Sequence, residues 1–96
     1  MVDEGRWEFV NGGWVSSDEA CPTYEDLITN MVHGHSFLKE NFDIVPKIGW
    51  HCDQFGHSNV MNQIFQQMGY ESLFVGRISD YEKKQRIENK TMSFYW

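Results

Sequence analysis

A chain of 96 residues is one domain at most and buries only a modest core. Its 16% aromatic content and short apolar blocks argue against disorder, and a net charge of -6, from eight basic and fourteen acidic residues, gives no electrostatic footprint for nucleic acid. No apolar run is long enough to span a membrane, and the start MVDEGRWEF lacks the basic and apolar regions of a signal peptide, so any secretory address lies upstream.

Trp7 to Val10 alternates large apolar and polar side chains before the turn cluster Asn11-Gly12-Gly13, which predicts a short strand and a loop carrying Trp14, Asp18 and Glu19. Thr23 is placed to cap a helix with apolar positions at Tyr24, Leu27, Ile28, Met31, His35 and Leu38, ending near Asn41. Ile48-Gly49-Trp50 predicts a second strand. Ser58 or Asn59 then caps a helix with Val60, Met61, Ile64, Phe65 and Met68 on one face and Gly69 as its left-handed stop. A third strand at Leu73 to Gly76, a charged helix from Asp80 to Glu88 and a fourth strand at Met92 to Trp96 complete the order βαβαβαβ.

That alternation predicts an α/β fold with a parallel sheet and right-handed crossovers, its apolar strands buried on both faces. Four strands with two open edges are a poor free-standing object, so the pattern reads as a four-strand parallel slice of a larger barrel or sheet. Cys21 and Cys52 have no CxxC spacing and read as free, structural thiols. Asn89-Lys90-Thr91 matches the N-glycosylation pattern, which matters only in a lumenal compartment.

Reacting groups in parallel α/β folds collect at the C-terminal ends of the strands. Asp18 or Glu19, Asp53 and Arg77 all meet that description and should share one rim. Period two along an extended segment puts His51 and Asp53 on one side, where they could share a metal, but two ligands leave a tetrahedral site short. A small metal-dependent hydrolase using His51, Asp53 and His57 is the reading that follows if they do. Asp53 faces Arg77 one βαβ unit later, and a cation opposite a carboxylate favours its charged form. A carboxylate beside an aromatic wall suits a glycosidase nucleophile; an Asp-Arg pair that only stabilises a strand end uses the same residues. Trp14, Trp50 and Phe55 read either as sugar platforms or as core. The Lys83 to Arg86 run reads as a solvated helix face.

GRWEFVNGGWVSSDEA followed by GWHCDQFGHSNVMNQIFQQMGYESLFVGRISDYEKK resembles the N-terminal catalytic region of glycoside hydrolase family 38, the class II alpha-mannosidases, nearest to its lysosomal-type members, from Gly5 to Trp96. The resemblance implies a seven-stranded α/β barrel of which residues 1–96 are a partial (β/α) barrel, a retaining mechanism, one Zn2+ ion and terminal alpha-linked mannose in oligosaccharides and N-glycans as substrate. It implies a lysosomal or other lumenal compartment. Asp53 matches the aspartate that is both nucleophile and zinc ligand, Phe55 an aromatic of the mannose site, and Arg77 an arginine beside the nucleophile. The other zinc ligands and the acid/base carboxylate lie outside residues 1–96, so the rest of the parent chain is the implied partner and the segment alone is expected to be inactive. His51 does not match a ligand, and its replacement by alanine in the parent is expected to be mild. Gln54 stands where the family has proline, and Ser16-Ser17 where it has methionine after GGWV. Asp18 and Glu19 belong to the family signature without an assigned step. The contrasting reading is a truncated, non-catalytic carbohydrate-binding or interaction remnant.

Overall fold

A computed structural model describes residues 1–95. Its elements are α1 (Tyr24–Phe42), β1 (Ile48–His51), α2 (Asn59–Gln67), β2 (Ser72–Val75) and α3 (Asp80–Glu88). Each of the three predicted helices forms, and local chemistry explains why. Thr23 and Asp26 make a reciprocal capping box on α1, each side chain bonding the other's backbone N–H, which satisfies two donors that the first turn leaves open. Asp43 closes that helix in the left-handed conformation, while Lys39 bonds its carboxylate. Ser58 and Ser79 cap α2 and α3 in the same way as Thr23, through their side-chain oxygens.

β1 and β2 pair in parallel, with Ile48 opposite Ser72 and His51 opposite Val75, and α2 is the crossover between them. Parallel neighbours need such a connection because the chain must return to the starting edge. The core is built where α1, α2 and the sheet meet: Leu27 and Met31 pack with Met61, Ile64 and Phe65, and Met68, Tyr70 and Leu73 close around them. Gly49 lets β1 approach α2 closely, since a Cβ there would lie 3.2 Å from the Phe65 ring. The Tyr70 hydroxyl donates to the Asn11 carbonyl, and burial pushes its pKa up to about 12. Its proton is thus committed, and the His35 Nε2 at 3.0 Å meets it as a donor.

The sheet differs from the expected one in three respects. Trp7–Val10 joins no ladder: Asn11 donates one backbone bond to Ile48 at 2.7 Å, then left-handed Asn11 and Gly12 turn the chain away before a second can form. Met92–Tyr95 forms no strand either, and Trp96, the end of that predicted element, lies outside the described residues. Phe74 and Val75 of β2 are exposed rather than buried on both faces: Phe74 lies on the side that α2 leaves uncovered, and Val75 ends the strand beyond the packed Leu73. On the open side Trp50 and Phe74 pack against each other, ring centroids 5.4 Å apart.

Candidate functional site at the ends of the parallel strands

His51 and Val75 end the two strands side by side, so the loops that follow leave from one rim. The Gly76 N–H donates to the His51 carbonyl at 3.1 Å, and a Cβ at Gly76 would fall 2.2 Å from the Cys52 carbonyl oxygen. The two loops are therefore in backbone contact just before Asp53 on one and Arg77 on the other. That contact brings the predicted pair together: Arg77 Nε donates to Asp53 Oδ1 at 3.0 Å, and Nη2 reaches the same oxygen.

The pair is exposed, 85% for the Asp53 side chain and 55% for Arg77. Ion pairs in water contribute only about 0–1 kcal/mol, so this one orients the carboxylate more than it stabilises the fold. Both bonds go to Oδ1, and among the described residues nothing bonds Oδ2. Phe55 stands 82% exposed beside the pair, its ring centroid 6.0 Å from the Arg77 guanidinium carbon. An open hollow of ≈ 440 Å³ lies on the side of Phe55 and Arg77, lined also by His57, Ile78, Ser79 and Glu82 but not by Asp53. A projecting carboxylate, a cation that orients it and an unpacked aromatic ring are groups that can attack a bound, polar, ring-shaped ligand, and the same Asp-Arg pair can brace the strand ends.

His51 is separated from this group. Strand β1 stops at His51, so period two does not carry through to Asp53, and the imidazole turns inward with its side chain 4% exposed. Its Nδ1 bonds Glu19 Oε1. Among the described residues no three His, Cys, Asp or Glu side chains gather as a metal site, which removes the support for a hydrolase built on His51, Asp53 and His57. Asp18 and Glu19 do not stand on the rim as expected. Asp18 Oδ1 accepts the Ala20 N–H at 2.9 Å and tightens a local turn, while Glu19 is buried behind the Asp53 loop. Gln54 and Ser16 meet, Gln54 Nε2 donating to Ser16 Oγ at 2.8 Å. Both cysteines are free.

The description of glycosyl hydrolases family 38, N-terminal domain, matches residues 1–96. The chain belongs to that family. Among curated proteins, this family 38 chain is 47% identical over 96 residues to the lysosomal alpha-mannosidase of Dictyostelium discoideum, 43% identical over 98 residues to that of Felis catus and 40% identical over 98 residues to that of Homo sapiens. In each case the match covers 100% of the chain and 10% of the relative, so the chain spans about a tenth of the length of these proteins.

The buried Glu19 changes what is expected of His51 in the family 38 fold. His51→Ala leaves a carboxylate, 6% exposed, without its imidazole partner. The Ser58 N–H still bonds Glu19, but leaving a buried acceptor short of a donor costs about 1–3 kcal/mol, so urea or thermal unfolding should show a loss of stability.

Proposed function

We propose that residues 1–96 belong to the catalytic domain of a retaining, zinc-dependent alpha-mannosidase that removes terminal alpha-linked mannose from oligosaccharides and N-glycans. The observation that carries the reading is Asp53: an exposed carboxylate, oriented by Arg77, at the end of a parallel strand in a chain that matches lysosomal alpha-mannosidases from end to end. Asp53 attacks the anomeric carbon and forms a glycosyl-enzyme, while Arg77 holds the carboxylate and Phe55 supplies the apolar wall for the sugar ring. A second carboxyl group, contributed from beyond residues 1–96 and about 5 Å away in the usual retaining geometry, protonates the leaving oxygen and then activates water.

Asp53 fits one position of a zinc site: carboxylate oxygen is an accepted ligand, the side chain is solvent-facing, and Oδ2 is unengaged among the described residues. The remaining ligands come from the rest of the parent chain. Zinc supplies Lewis acidity toward the sugar hydroxyls when bound.

The β1-α2-β2 unit is, in this reading, part of a seven-stranded α/β barrel whose other strands come from the rest of the parent chain. A lysosomal or other lumenal setting follows from the same reading, and no helix among the described residues is long and apolar enough to cross a membrane.

Purified full-length protein is expected to contain zinc and turn over an aryl alpha-mannoside, to lose that activity on chelation and to regain it with Zn2+. Absence of turnover in metal-replete protein would sink the proposal, and mannoside binding without turnover would favour the non-catalytic remnant. Residues 1–96 alone, carrying one ligand and no acid/base group, are expected to show neither turnover nor tight zinc binding; zinc-dependent hydrolysis by that piece would contradict the division of the site.

A further inference from the structure

The loop from Cys52 to His57 carries both Asp53 and Phe55 but contains no regular secondary structure, so something other than a helix or strand ladder must set its shape. One carboxylate spans its two ends. Glu19 Oε1 accepts from His51 Nδ1 at the last residue of β1, and Glu19 Oε2 accepts the Ser58 N–H at 2.6 Å, at the cap of α2. A carboxylate only accepts, so the imidazole proton sits on Nδ1. His51 Nε2 is buried without a partner among the described residues, and the ring otherwise rests edge-on against Phe65, centroids 5.0 Å apart. Glu19 is therefore the polar anchor of that ring.

The same carboxylate complements the start of α2, whose first turn has no acidic residue of its own. The segment that carries Glu19 is itself held in place. Trp14 N–H bonds the Asn30 carbonyl at 3.0 Å, Val15 and Asn30 exchange two bonds, and the Gln54–Ser16 bond ties the segment to the loop again.

We propose that Glu19 is a positioning residue: it fixes the distance between the end of β1 and the start of α2 and thereby holds the Asp53 loop in its reactive shape. This rests on the reading of Asp53 as nucleophile. Glu19 acts through His51 and Ser58 and touches no substrate. Partners that orient reacting groups in this way are worth roughly 10–100-fold in activity.

Geometry and charge separate by substitution in the full-length enzyme. Glu19→Gln keeps both ties, because its oxygen accepts from Ser58 N–H and its amide donates to His51 Nδ1 once the imidazole proton moves to Nε2. Glu19→Asp is one methylene too short to reach both, and Glu19→Ala reaches neither. With aryl alpha-mannoside turnover measured per active site, Glu19→Gln is expected to stay close to wild type, short of the roughly 10-fold loss that marks a missing orienting partner. Glu19→Asp and Glu19→Ala are expected to lose roughly 10–100-fold in kcat with KM nearly unchanged. If Glu19→Ala yields no folded enzyme, the Gln and Asp variants decide between themselves. Wild-type kcat in the Asp or Ala variant, or equal damage in the Gln variant, overturns the inference. Asp53→Asn is run in parallel: if it keeps full turnover, the nucleophile reading fails; if it abolishes turnover while Glu19→Asp and Glu19→Ala are unchanged, only the role of Glu19 fails.

Discussion

Asp53→Asn in the full-length protein is expected to lower mannoside turnover by at least about 10³-fold, the scale on which removal of an essential nucleophile is felt. The substitution is nearly isosteric, and the Asp53 side chain is 85% exposed, so the fold has little reason to respond. Arg77 keeps an oxygen to donate to, although the bond is no longer between charges. In the proposed mechanism, what disappears is the anion that attacks the sugar and one oxygen ligand for zinc. The variant should therefore melt close to wild type while losing both kcat and zinc, measured by turnover and by metal analysis of the same preparation. A variant that loses zinc but recovers turnover at high Zn2+ would assign Asp53 to the metal alone.

Gly76→Ala is expected to damage turnover less, and by a different route. The new Cβ would stand 2.2 Å from the Cys52 carbonyl oxygen, 2.8 Å from its Cα and 2.9 Å from its carbonyl carbon, all backbone atoms that cannot rotate away as a side chain would. The strain separates the two loops at the point where Cys52 leads into Asp53 and Gly76 into Arg77. Overpacking of this kind typically costs about 1–3 kcal/mol. A displacement of about 1 Å at reacting groups can cost about 10²-fold in rate. Gly69→Ala is the control. Its φ of 77° makes the substitution unfavourable by about 1–2 kcal/mol, but nothing lies near the added methyl group and the residue ends α2 away from the rim. The two variants should destabilise comparably in urea, and only Gly76→Ala should lose kcat. Equal activity in both would show that the loop contact is structural alone.

The contrast between these variants follows the division between local and tertiary information in this chain. Thr23 with Asp26, Ser58, Ser79 and Gly69 are signals whose partners lie within a few residues, so the three helices and two paired strands are legible from spacing alone. Asp53 and Arg77 were legible for a related reason: both follow strand patterns, and the parallel β1-α2-β2 unit returns the second strand's end beside the first. The first strand failed because left-handed Asn11 turns away after one backbone bond, a competition between turn and ladder that alternation does not reveal.

By itself the amino-acid sequence determined the family, the helix boundaries to within a residue or two, and the candidate nucleophile with its arginine. Only the tertiary structure decided that His51 turns inward to Glu19, that Glu19 closes on Ser58, and that Gln54 meets Ser16. Those contacts join residues 32, 39 and 38 positions apart. No periodicity of 2 or 3.6 reaches that far, and a buried carboxylate is indistinguishable from a solvated one until packing encloses it. GWHCDQFGHS is thus read locally for Asp53, while the support that holds Asp53 in place comes from the opposite side of the loop.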